Sequence, residues 1–478
     1  MKIIKSLFLI LALLSACGVG VSAQPEYEIH GRAWADVGRI MKVSDTLIAP
    51  PGELNLEGNL LHGMGAQFTI FSDLTDNIEG VFGFGAQKVS NALGSGGAAF
   101  MTINLFQSFL TESRITYYLG EKDSPGFSLT AGSFSHKYNP QVKNLGLYLL
   151  RGPVYPGILM GGFQDFYTDP SKGSLVGAHA RHAMGAFSHD LLLNLERDVP
   201  PTFDWSLAYL AHYQVFEGLK LGAGVNFYRL VTFSEDLEEP GHLSNATLNF
   251  QKDKYIEVDT VSNDTLYFTH KGTKLMAYFN LDFKPLLGMD AENPNDLILY
   301  GETAIIGLKN YGNTYDKISE RMPVMFGFNV PTFGLLDLLS LELEWYGCLY
   351  RNDLALVGNN NVVAPWTTQD HPIPSPKPVT YDDYGIDEQG NYISRDGDTV
   401  NVLGTPMDVE NLTSDNLKWS LNLEKSVQKH IMFSAQVACD HYRPRPVATG
   451  LIFSNGGTAT AFSDVSDWYF MFRTSFFF

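Results

Sequence analysis

Charge is scarce in this chain, and long apolar runs are scarcer. Charged residues make up 18% of its 478 residues, against a typical ~25%. Beyond residue 17 no apolar stretch approaches the ~20 residues that a membrane-spanning helix needs, which excludes a helical membrane protein. The Leu/Lys/Glu-rich signature of a helical protein is missing as well. There are three cysteines, Cys17, Cys348 and Cys439, too few for a disulfide framework in so long a chain. Basic residues are in deficit, 33 against 52 acidic, for a net charge of −19. That balance argues against general electrostatic attraction to nucleic acid or anionic lipid.

What is plentiful is aromatic and small. Aromatics reach 13%, and there are 45 glycines. The N-terminus has the order of an export signal. Lys2 and Lys5 precede the apolar run Ser6–Ala16 (SLFLILALLSA), and Val21–Ala23 (VSA) offers small residues for cleavage before Gln24. This assigns 1–23 to a signal peptide and 24–478 to one mature domain. A second reading stands beside it. Leu14–Cys17 (LSAC) resembles a lipoprotein box, which would leave Cys17 lipidated. Cleavage at Ala23 is favoured, because a membrane-embedded protein needs no added anchor.

The dominant pattern is period two, the signature of a strand. In the closing stretch DWYFMFRTSFFF, Trp468, Phe470, Phe472, Thr474, Phe476 and Phe478 share one face. Tyr469, Met471, Arg473, Ser475 and Phe477 share the other. The same rhythm runs through LKWSLNLEK (417–425), LELEWYGCLY (341–350) and LMAYFNLDFK (275–284). Strands are expected at 27–41, 58–72, 77–89, 99–119, 126–136, 174–183, 187–196, 203–214, 217–231, 272–285, 297–309, 319–331, 338–351, 416–426, 429–442 and 467–478. Most match the ~9–11 residues of a membrane-spanning strand, not the ~5–6 of a soluble one.

The connections discriminate further. Even-numbered links are short, as in SDLTD near 72–76 and SVQ near 426–428. Every long insertion falls on an odd-numbered link: 137–173, 232–271, 352–415 and 443–466. Backbone in hydrocarbon must satisfy all its hydrogen bonds internally, so a sheet there has to close. The fold class is therefore all-β: an antiparallel up-and-down transmembrane β-barrel of about 16 strands (roughly 14–18). Its short turns would be periplasmic, together with both termini, and its long loops extracellular.

On these residues the chain resembles a Gram-negative outer-membrane porin. Phe470, Phe472, Phe476 and Phe478 are similar to the C-terminal signal read by the barrel-assembly machinery. The stretch Ala131–Gly146 (AGSFSHKYNPQVKNLG) is similar to the strand-then-loop segment of such proteins. In that family the third external loop folds inward and narrows the channel. Its acidic PEFGG motif is absent here, so the motif does not carry the inward fold over to this chain. The resemblance implies an integral protein of the outer membrane, in contact with lipid and lipopolysaccharide. It also implies passage of small hydrophilic solutes and a homotrimeric assembly.

Candidate chemistry is thin. Glu342 and Glu344 lie two apart on one strand face, which suits charge lining water better than an acid/base pair. His179 and His182 are three apart on a strand, hence on opposite faces, so no metal is expected there, even with His189 nearby. VFGFGAQ is not a phosphate loop, since no helix follows it. No enzyme activity, cofactor or metal is expected. The expected pore-lining set is Arg32, Lys220, Lys274, Asp282, Glu302, Glu342, Glu344, Glu424, Asp440 and Arg473. With Glu196 and Asp204 added to the acids, and Lys284 and Lys418 to the bases, the balance is slightly acidic, a weak lean to cations. The expected function is a passive, water-filled diffusion channel. The alternative is a surface binding or adhesion protein that stacks glycans on loop aromatics such as Trp366, Tyr381, Tyr384 and Tyr392.

Overall fold

The computed structural model describes residues 26–42, 47–49, 52–54, 57–58, 60–91, 103–122, 125–150, 163–164, 173–195, 204–231, 254–258, 265–269, 272–289, 293–308, 318–345, 384–386, 392–394, 417–439 and 465–478. The expected signal peptide, Cys17, Cys348, Asp440, Trp366 and Tyr381 lie outside these residues.

Sixteen strands form the barrel: β1 (Glu26–Lys42), β2 (Leu60–Thr75), β3 (Ile78–Asn91), β4 (Ile103–Leu119), β5 (Phe127–His136), β6 (Gly173–Met184), β7 (Phe187–Leu195), β8 (Trp205–Phe216), β9 (Leu219–Val231), β10 (Gly272–Asp282), β11 (Ile298–Ile305), β12 (Val324–Asn329), β13 (Leu338–Trp345), β14 (Leu417–Val427), β15 (Ile431–Cys439) and β16 (Trp468–Phe477). Each pairs antiparallel with the next, and β16 pairs antiparallel with β1. The sheet therefore has no free edge. Three short hairpins (47–54, 254–269 and 384–394) and a two-residue strand at Phe163–Gln164 decorate the long connections.

The alternation of residue types becomes an alternation of surroundings. On β16, Tyr469, Met471, Arg473 and Ser475 are buried, while Phe472 and Phe476 are exposed on the outer face. Leu191 and Leu193 of β7, Tyr209 and Tyr213 of β8, and Leu341, Leu343 and Trp345 of β13 face outward in the same way. Cross-strand aromatics cover inward glycines. Trp34 lies over Gly65 and Tyr278 over Gly222, so closely that a Cβ at either glycine would collide with the ring. Glycine there leaves room for a large side chain on the neighbouring strand.

The closing seam is polar on the inside. Arg473 Nε and Nη2 donate to Asp36 Oδ1 and Oδ2 at 2.6 and 2.8 Å, and Arg32 Nη2 donates to Ser475 Oγ at 3.0 Å. At the end of this seam Phe478 N donates to Gly31 O at 3.0 Å, and Gly31 N returns the bond to Phe478 O at 2.6 Å.

The strands occur where the alternation places them, with corrections at several ends. β10 stops at Asp282, not 285. Asp282 accepts from Lys284 N at 2.9 Å and caps a one-turn helix, α1 (Phe283–Leu287), which Gly288 ends in the left-handed conformation. The expected strand 319–331 begins only at Val324, because Ile318–Arg321 forms a 3-10 turn. β11 ends at Ile305, short of 309.

Candidate functional site

The interior is not an open tube. After β5, residues 137–150 turn into the barrel and lie against the wall built by β6–β13. Tyr138, Val142, Leu145, Leu147, Tyr148, Leu149 and Leu150 are buried there. They form one apolar cluster with Leu175, Leu192, Leu210, Met276, Tyr278, Ile298, Tyr300 and Met325 of the strands. Strand side chains that would face water in an empty lumen are thus the floor of a hydrophobic core.

Hydrogen bonds fix this segment in register. Six consecutive backbone amides, 143–148, donate to three strand carboxylates. Glu342 Oε1 accepts from Lys143 N at 2.6 Å, and its Oε2 accepts from Asn144 N at 2.8 Å and Leu145 N at 2.9 Å. Glu344 Oε2 accepts from Gly146 N at 2.7 Å. Glu302 Oε2 and Oε1 accept from Leu147 N at 3.2 Å and Tyr148 N at 2.9 Å. Gly146 and Leu147 both have positive φ, 72° and 60°. The turn made there passes the donors from one carboxylate to the next, Gly146 N to Glu344 and Leu147 N and Tyr148 N to Glu302. The opposite polarity is served too, since Lys274 Nζ donates to Tyr148 O at 2.8 Å and Leu149 O at 3.2 Å. Tyr300 OH adds a bond to Glu342 Oε1 at 2.9 Å, and Asn144 Nδ2 donates to Ser420 Oγ at 3.0 Å. Charge-assisted bonds of this kind are about twice as strong as neutral ones. They offset the burial of three carboxylates that have no access to water.

The wall that the loop leaves uncovered carries its own charges, in pairs. Arg473 bridges to Asp36 and lies 5.7 Å from the Trp34 ring centroid, and Arg32 sits 5.4 Å from that of Phe477. Arg114 reaches Glu112 at 2.6 Å and Glu79 at 2.8 Å. Gln67, opposite Arg32, and Gln87, opposite Gly65, face the same side.

The expected lining residues divide between these regions. Arg32, Lys220, Lys274, Asp282, Glu302, Glu342, Glu344, Glu424 and Arg473 all occupy inward register positions. Glu302, Glu342, Glu344 and Lys274 are brought together beneath the loop, and Asp282 caps α1. Arg32 and Arg473 belong to the uncovered wall. Lys220, opposite Gln214 and Asn280, is separate from both groups. Phe470, Phe472 and Phe476 occupy the outer face of β16, and Phe478 continues it against Phe68, with ring centroids 5.8 Å apart. His179 faces inward, with Nε2 2.8 Å from Asp190 Oδ1, while His182 faces outward. Asp190 also meets His212 Nε2 at 2.9 Å, and His212 Nδ1 meets Tyr278 OH at 2.7 Å. Sequence reasoning did not find this chain or the loop's amide donors. Its one visible trace is the apolar side chains, such as Leu192, Leu210 and Met276, on faces that should be polar.

No family model matches the chain, and no curated protein matches it. Among solved structures it is similar to a doubly substituted porin of Rh. blastica, with TM-score 0.38 and 7% identity over 95% of this chain and 100% of that one. It is also similar to Salmonella typhi OmpF in complex with daunomycin, with TM-score 0.42 and 8% identity over 95% of this chain and 97% of that one. Values this low assign no family, and the barrel is established by its closed strand order.

Proposed function

We propose that this protein is an outer-membrane channel for passive diffusion of small hydrophilic solutes, narrowed from one side by the segment 137–150. The observation that carries the proposal is the closed sixteen-strand ring with an apolar outside, whose inward segment packs on strands of one side. A ring of this strand number encloses more space than side chains alone fill. The conducting path runs along β15, β16 and β1–β4, since Asn144 of the loop reaches Ser420 of β14 and Phe134 of β5 belongs to the loop's apolar cluster. Its orientation follows the rule for such barrels, with short turns in the periplasm and long loops outside. Lipopolysaccharide, the barrel-assembly machinery and a homotrimeric assembly are the partners that this reading brings with it.

Selectivity should follow the charges still facing water. Glu302, Glu342 and Glu344 are withdrawn beneath the loop. On the uncovered wall Asp36, Glu79 and Glu112 remain against Arg32, Arg114 and Arg473, with Glu424 beside them at the short-turn end of β14. One carboxylate in excess supports a small cation preference. Planar-bilayer recording of the purified protein tests both points. Discrete openings with a reversal potential slightly toward cations are expected in a salt gradient. A silent barrel with glycan affinity would instead favour loop display.

A further inference from the structure

His182 and His189 stand directly opposite one another across the β6–β7 pair, three residues from the Gly185 turn on one side. They lie on the outward face, not in the lumen. His182 Nδ1 is 3.1 Å from His189 Nε2, with ring centroids 5.2 Å apart. Phe187 and Tyr209 flank His189, with centroids at 5.5 and 5.7 Å. Among the described residues the hydrogen-bonded partner of each imidazole is the other ring, so no carboxylate must be displaced from either. This distinguishes the pair from His179 and His212, whose Nε2 atoms are held by Asp190.

The spacing is that of two ligands on one ion. With metal–nitrogen bonds of about 2.0–2.1 Å, a tetrahedral ion holds two nitrogens about 3.3 Å apart and a square-planar one about 2.9 Å apart. The observed separation falls between them. We propose that His182 and His189 form a two-imidazole site for a borderline divalent metal ion, with Cu2+ preferred over Zn2+ and Ni2+. On binding, the proton shared between the two facing nitrogens moves to the far nitrogen of its own ring. Both facing lone pairs then coordinate, and no net proton is lost. The remaining positions lie on the outer face, three residues from the Gly185 turn. The strand register already fixes both backbones, so little ordering entropy opposes binding. The site is independent of whether the barrel conducts.

The test is a copper titration of the full-length protein in detergent, with glycine as competing chelator, read by electron paramagnetic resonance. One Cu2+ per chain with hyperfine structure from two nitrogens is expected. His182→Gln and His189→Gln should each weaken binding at least about 10-fold, whereas His179→Gln, which alters the inward face of the same strand, should not. Folding of each variant is checked by its migration as a compact barrel on an unheated gel. Where a variant fails to fold, carbethoxylation of the unaltered protein gives the same information. Zn2+ should protect His182 and His189 and leave exposed His62 reactive. Equal copper affinity in the double variant, or no protection of the pair, overturns the proposal.

Discussion

Glu342 of β13 and Leu145 of the inward segment, 197 residues apart in the chain, meet through one hydrogen bond of 2.9 Å, N–H to carboxylate. The same carboxylate takes Lys143 N, Asn144 N and Tyr300 OH. Replacing Glu342 by Ala strands three amide donors, two of them buried, each at about 1–3 kcal/mol. The segment should loosen, with larger and noisier single-channel conductance and a barrel that unfolds several degrees lower in detergent. Unchanged conductance in a folded Glu342→Ala protein would show that the segment does not narrow the path.

Lys274 performs the complementary task, holding the carbonyls of Tyr148 and Leu149. Lys274→Met keeps the apolar stem and removes the ammonium donors. We expect a smaller loss of stability than for Glu342→Ala, because carbonyls find other donors more readily than stranded amides find acceptors. Thermal unfolding of the two variants side by side checks the order.

Gly146 is where the segment reverses. At φ 72° a Cβ would come within 2.9 Å of Glu302 Oε2 and 3.0 Å of Met325 Cε. Gly146→Val combines left-handed strain with that collision, at roughly 1–3 kcal/mol for the strain alone. It should raise conductance as Glu342→Ala does, without removing any charge. Agreement between the two would attribute the effect to position and not to electrostatics.

Asp337, in the short turn between β12 and β13, provides a pH-dependent contact outside the spanning strands. Burial alone would raise its pKa. The Ser426 N–H at 2.6 Å and the Lys425 ammonium at 3.3 Å outweigh that and hold it below the usual carboxylate range. A depressed folded pKa gives stability that is present above the unfolded value, near 3.9, and is lost as pH falls through the folded one. The group is partly exposed, so the contribution is at most about 1 kcal/mol. Asp337→Asn should reduce stability at pH 7 and flatten its decline below about pH 4, as read by detergent unfolding against pH.

Phe478 exchanges two backbone hydrogen bonds with Gly31 and packs on Phe68. Removing it should lower the amount of protein reaching the membrane. Channels that do assemble should conduct normally, since its ring points away from the lumen. Normal membrane levels would separate this residue from assembly.

The strands were legible because each inward or outward choice is written in every second residue. The endings were less so. Asp282 and Lys284 continue the alternation of β10 on paper, yet Pro285 cannot donate to a ladder, and Asp282 is a good helix cap. The inward segment was hidden for a deeper reason. Its anchors are backbone N–H groups, which every residue except proline supplies, and an expected acidic motif says nothing about them. The acceptors were visible as Glu302, Glu342 and Glu344 on inward positions. What could not be seen was that 143–148 would arrive to use them, since that pairing joins positions roughly 150–200 residues apart. Leu192, Leu210, Met276 and Ile298 carried the only local hint. Four apolar side chains on supposedly wet faces mean that something dry lies against them.

The seam between β16 and β1 turns a linear polymer into a ring held shut by hydrogen bonds. Arg32 and Ser475 touch across 443 positions, and the other fifteen pairings follow one another along the chain. In a ring, no backbone break is privileged. A chain cut once within the connection 346–416 would keep every strand pairing, and its two fragments would remain one body. New ends opened there, with the old ones joined, would give a circular permutant carrying the same sixteen neighbours.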